Sequence, residues 1–106
     1  MVTMVEDLMK KKFSVLINNY NYGKYLEDCL DSVLSQGFED LEVIIYDDGS
    51  TDSSRKILER YKNRVISILA ENYGSSPNKN QANGIYQAFL RSTGEWILLL
   101  DSDDIF

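Results

Sequence analysis

Histidine is absent from the 106 residues. The usual imidazole base and the usual zinc ligand are therefore excluded, and any metal site must be built from oxygen ligands. The single cysteine, Cys29, cannot form an internal disulfide. That suits a reducing compartment, the cytoplasm or the cytoplasmic face of a membrane. No run of about 18 apolar residues occurs, so no transmembrane helix is expected. The opening MVTMVEDLMKKK has acids inside its short apolar part and lacks a signal peptide's layout, so residues 1–11 read as a short lead. Lys and Arg number 11 against 17 Asp and Glu, a net charge of −6. Without a basic face, nucleic acid is excluded as a partner. Neither G-x-G-x-x-G nor G-K-[ST] is present, and only Gly23 follows the first apolar run. A phosphate ligand would lack a glycine cradle and would need a metal to neutralise it.

What is present is enough for one domain with a modest core. Apolar residues make up 43% and charged residues 26%, ordinary for a globular chain. Phe13–Ile17, Leu41–Tyr46, Val65–Leu69 and Glu95–Leu100 read as strands. Between them lie helical stripes: Tyr25, Leu26, Cys29, Leu30, Val33 and Leu34; then Ile57, Leu58 and Tyr61; then Ala82, Ile85, Tyr86, Phe89 and Leu90. Gly37 is a plausible stop for the first helix, and Ser76 and Pro77 an N-cap and first turn for the third. The order β-α-β-α-β-α-β predicts an α/β fold, a Rossmann-like parallel sheet of about four strands. Ligands of such sheets bind where the strand C-termini share one edge.

That edge collects polar residues. The first strand runs into NNYNYG (Asn18–Gly23), the second into Asp47 and Asp48, the third towards ENYGSSPNKN, and the fourth into Asp101, Asp103 and Asp104. One aspartate after a strand is most often a helix cap. Five on one edge repel one another unless a cation joins them, and oxygen ligands suit Mg²⁺ or Mn²⁺. Asp47 and Asp48 also fit a tight DDGS turn. Tyr20 could stack on a nucleobase or simply sit in a surface loop. Lys79 is either a solvated residue or one that reaches a phosphate. Cys29, on an apolar stripe, reads as core, and Lys10–Lys12 as a solvated charge run.

Together, FSVLINNYN, YLEDCLDSVLSQ, LEVIIYDDGSTDSS, ENYGS, NGIYQAF and TGEWILLLDSDD resemble the N-terminal half of a family-2 glycosyltransferase with the GT-A fold. Their joint order is far more specific than any one motif. The resemblance implies that residues 12–106 are the nucleotide-diphospho-sugar-binding half of a truncated GT-A domain, with a nucleotide-sugar donor as partner. It implies that Asn18 and Tyr20 line a nucleobase pocket and that Asp48 accepts a hydrogen bond from the imide N–H of uracil or thymine. Asp101 would touch the ribose or the metal, and Asp103 would ligate Mn²⁺ or Mg²⁺ bridging the diphosphate. Asn18 stands where the family often has proline, and Ala82 where asparagine is common.

The implied reaction is transfer of a sugar, with inversion, to the hydroxyl of a carbohydrate or glycolipid. The acceptor site and the catalytic base are expected beyond residue 106, so no catalytic residue is assigned and the chain alone is expected to be inactive. Its last strand is expected at an exposed sheet edge, where a second copy could pair. Two other classes compete. One is a non-catalytic nucleotide-sugar-binding module. The other is a receiver-like Mg²⁺-binding signalling domain, whose acids should follow strands 1 and 3 rather than 2 and 4.

Overall fold

The computed structural model describes residues 12–36, 40–71 and 77–103, with backbone alone for 77–82. Seven elements alternate through them: β1 (Lys12–Asn19), α1 (Gly23–Leu34), β2 (Asp40–Asp48), α2 (Ser54–Arg60), β3 (Ile66–Ala70), α3 (Pro77–Arg91) and β4 (Trp96–Asp101). All pairings are parallel, in the order β3-β2-β1-β4. The chain steps outward from β1 through β2 to β3, then returns to β1's other side as β4. The strand order thus reverses at β1, the switch point where open α/β sheets leave a crevice. Gly37 and Ser76 lie outside the described residues.

Strand alternation sorts the core into two layers. Val15, Ile17, Val43 and Ile45 pack with Leu26, Cys29, Leu30 and Val33 of α1 and Ile57 and Leu58 of α2. Leu16 and Ile44 point the other way, to Ala88, with Ile66, Ile68, Ile85 and Ile97 around them. β1 and β2 are covered on both faces, which explains their continuous apolar runs. Leu16, Ile17, Leu26, Leu30, Ile44 and Ile45 are fully buried, each worth about 1.5–3 kcal/mol of transfer from water.

The helical stripes differ from expectation at their margins. Tyr25 is exposed on α1, and Tyr86, Phe89 and Leu90 are exposed on α3. The reason on α3 is local. The helix settles on β1 and β2 along a side of small residues, Gly84 and Ala88, one turn apart and both buried. This close approach brings Ile85 against the sheet and turns the larger side chains away. At the far end of the strands, Glu42 accepts from Ser14 Oγ (2.6 Å) and Thr93 N (2.9 Å), and Gly94 N donates to Ser14 Oγ (2.8 Å). Burial alone would push the Glu42 carboxyl up, but these donors and Lys12 outweigh it and hold it below the usual value. The turn from α3 into β4 is fastened there.

Candidate functional site

Period-two alternation carries through to the strand ends and divides the polar residues there. Asn18 pairs in register with Tyr46 on one side and Asp101 on the other. It shares parity with Leu16, so Asn18, Asp48 and Asp101 belong to the α3 layer. Asn19 and Asp47 share parity with Ile17 and Ile45 and belong to the α1/α2 layer. The two neighbouring acids of DDGS therefore leave β2 on opposite faces.

Asp47 is buried and consumed by structure. Its Oδ1 accepts from Asn19 Nδ2 (2.8 Å) and Ser50 Oγ (2.6 Å). Its Oδ2 accepts from Ser50 N (3.1 Å) and Arg55 Nε (3.0 Å). The expectation that the acids after β4 face a second acidic pair is corrected here: of Asp47 and Asp48, only Asp48 shares the side of Asp101. Among the described residues no three acidic or sulfur ligands come together as a metal cluster. Asp104 lies outside the described residues.

Asp48 is 1% exposed. Burial, and then the charge of Asp47, raise its pKa above the ordinary value. A buried carboxylate at the ligand edge of such a sheet is a candidate for reading a substrate group. Beside it, Asn18 Oδ1 is buried and has no hydrogen-bond partner among the described residues. It points at α3: a Cβ on Gly84 would lie 1.9 Å from it. Asn83 Nδ2 donates to Tyr46 Oη (3.0 Å), pinning the same turn of α3 to β2. Tyr20 is 43% exposed, open to a ligand. Asp101 ends β4 and Asp103 lies in the following turn; both are exposed. Two accessible carboxylates fit Mg²⁺ or Mn²⁺, which bind through one or two carboxylates and take their remaining ligands from phosphate and water. Lys79 lies in the first turn of α3, and its side chain is outside the described residues.

The loops are held by residues whose importance was not seen in the sequence. Asn21 adopts a left-handed φ of 56°, and its Oδ1 accepts from Thr51 N (2.8 Å) and Asp52 N (3.3 Å). Asp52 caps two helices at once, accepting from Gly23 N (2.8 Å) for α1 and from Ser54 N (2.9 Å) for α2. The signal for the Asp47 network was present in the alternation of LEVIIYDD, which separates adjacent residues. Asn83 and Gly84 entered only as part of the NGIYQAF segment, with no contact foreseen for either.

The fold defines a Rossmann-like α/β domain of the GT-A kind. Residues 14–106 match the family model described as Glycosyl transferase family 2, and the chain belongs to that family. It is 36% identical over 96 residues to the GalNAc(5)-diNAcBac-PP-undecaprenol beta-1,3-glucosyltransferase of Campylobacter jejuni, covering 88% of this chain and 30% of that protein. The Staphylococcus aureus TarS 1–349 structure in complex with UDP-GlcNAc superposes with a TM-score of 0.70 at 33% identity, over 89% of this chain and 27% of that one. The mannosyltransferase PcManGT of Pyrobaculum calidifontis, solved with GDP-Man and Mn²⁺, has a TM-score of 0.78 at 21% identity, over 92% of this chain and 29% of that one; it shows the fold alone. The chain spans less than a third of each of these three. A receiver-like domain is set aside, since β1 ends in asparagine and β3 in Ala70.

Proposed function

We infer that residues 12–106 bind the nucleotide-diphosphate end of a UDP-linked sugar on the α3 side of the strand ends. The observation that carries this is the placement of Asn18, Asp48 and Asp101 on one face at the point where the strand order reverses. Asp48 accepts the imide N–H of the base, Asn18 and Tyr20 flank the ring, and Asp101 meets the ribose or the cation. The UDP-GlcNAc complex of TarS, a relative 33% identical to this chain, supports a uridine donor.

Asp101 and Asp103 would hold Mn²⁺ or Mg²⁺, which supplies charge neutralisation to the diphosphate leaving group. Lys79, in the first turn of α3, would assist at a phosphate. In the whole protein the sugar passes with inversion to the hydroxyl of a carbohydrate or glycolipid, and the base that takes the hydroxyl's proton comes from sequence outside the chain. Work at the cytoplasmic side of a membrane accords with a chain that holds a single cysteine. Among the described residues β4 pairs only with β1, and its other edge would take a second copy of the chain.

The test is calorimetric titration of UDP into the chain with Mn²⁺ and with EDTA. Binding that needs the cation supports the reading. Equal affinity in EDTA refutes the bridging role of Asp101 and Asp103.

A further inference from the structure

One densely hydrogen-bonded side chain at this sheet edge faces away from the proposed ligand. Asp47 gathers four hydrogen bonds, from Asn19, from Ser50 twice and from Arg55. Arg55 continues the network: its Nη2 donates to the carbonyl of Ala70 at 2.5 Å. The registers show what these contacts enclose. Asn19 is the β1 partner of Asp47, and Ala70 is the β3 partner of Asp48. Arg55 thus grips the residue before Asp48 on its own strand and the residue beside Asp48 on the next. Asn19 ties the same carboxylate to β1, one residue past Asn18. Three strand ends and the turn that follows β2 are fixed by a single carboxylate and one guanidinium fork.

We propose that Arg55, acting through Asp47 and the Ala70 carbonyl, is a positioning residue that sets how Asp48 meets the nucleobase. The proposal rests on the assignment of Asp48 to base reading. Charge alone would not serve. Arginine's planar fork reaches a carboxylate and a carbonyl at once, whereas lysine offers one point charge. The Arg55 side chain is 40% exposed, so its worth lies in geometry more than in buried charge. A hydrogen bond from the base is sensitive to the angle and distance of its acceptor. A small drift of the β2 end would weaken base recognition and leave the phosphate end, on β4 across β1, untouched.

The experiment uses the full chain, with Arg55→Gln, Arg55→Lys and Asp48→Asn. Uridine, and separately pyrophosphate with Mn²⁺, are titrated by calorimetry well below each variant's unfolding temperature. The expected result is that Arg55→Gln weakens uridine by about tenfold with unchanged stoichiometry, and pyrophosphate with Mn²⁺ hardly at all. Arg55→Lys should recover little of the loss, since it restores charge without the fork. A purely structural role would instead lower stoichiometry or weaken both ligands together, and that outcome overturns the proposal. If Asp48→Asn weakens uridine and both Arg55 variants bind it like the wild type, the positioning role falls and base reading stands. If Asp48→Asn leaves uridine binding unchanged, base reading falls, and the positioning role with it. Should Arg55→Gln fail to fold, Arg55→Lys carries the same test, and wild-type affinity for uridine in that variant overturns the claim.

Discussion

Replacing Gly84 with alanine pits two effects of opposite sign against each other. Inside an exposed helix the change would stabilise by about 1 kcal/mol, because glycine loses more backbone freedom on folding. Here α3 presses on β1 and β2 at that residue. The added Cβ would sit 1.9 Å from Asn18 Oδ1, 2.9 Å from Tyr46 Cδ1 and 3.0 Å from Asn18 Cγ. Overpacking of this kind costs about 1–3 kcal/mol. If the helix rises to relieve it, the Asn83–Tyr46 hydrogen bond is strained as well, worth about 1 kcal/mol. The balance is a net loss of about 1–2 kcal/mol. For a domain of this size that lowers Tm by roughly 5–15 °C. The same clash displaces Asn18, so uridine affinity should fall too. Differential scanning calorimetry and a uridine titration on Gly84→Ala check both. An unchanged or higher Tm with wild-type uridine affinity would refute the close approach of α3 to β1 and Asn18's place beside the base.

Asp48→Asn should raise Tm at neutral pH. Asp48's folded pKa lies above its ordinary 3.8, so the native state holds more protons than the unfolded chain between the two values. Stability therefore falls as pH rises through that window, and the amide removes the cost; thermal melts across pH decide it. Asp52→Ala should cost about 1 kcal/mol at neutral pH, the loss of a helix cap. Burial raises the Asp52 carboxyl, but hydrogen bonds from Ser54 and Gly23 prevail and hold it below 3.8. Its contribution is therefore present above the ordinary value and lost as pH falls through the lowered one, so wild type and variant should converge in acid; a constant gap in Tm down to about pH 2 would contradict this. Sedimentation velocity should show a concentration-dependent dimer that Leu99→Lys, at a position 63% exposed on the edge strand, shifts to monomer. Identical monomers at all concentrations would end the edge-pairing proposal.

Element order and type were legible because β1 and β2 are buried on both faces and because α1 carries a clean apolar stripe. The sheet edge on which the candidate residues gather followed from that order alone. What the sequence reading missed is the sidedness of adjacent residues and the long-range contacts. Asp47 and Asp48 look alike in DDGS, yet one strand position sends the first to Arg55 and the second to the α3 side. Phe89 and Leu90 look like core because they are apolar. They are exposed because α3 approaches along Gly84 and Ala88, a choice set by the packed sheet rather than by local pattern. Asp52's capping of two helices depends on loops far apart in sequence meeting at the strand ends. No spacing rule announces that.

The proposed site holds base and diphosphate by different carboxylates at one sheet edge. The most direct measurement is a titration of uridine and of UDP with Mn²⁺ into wild type, Asp48→Asn and Asp103→Ala. Asp48→Asn should weaken both ligands by a similar factor, about tenfold or more, because a neutral amide replaces the charged acceptor of the hydrogen bond. Asp103→Ala should weaken UDP strongly and uridine hardly at all. If the two variants weaken uridine equally, the separate roles assigned to Asp48 and Asp103 are wrong.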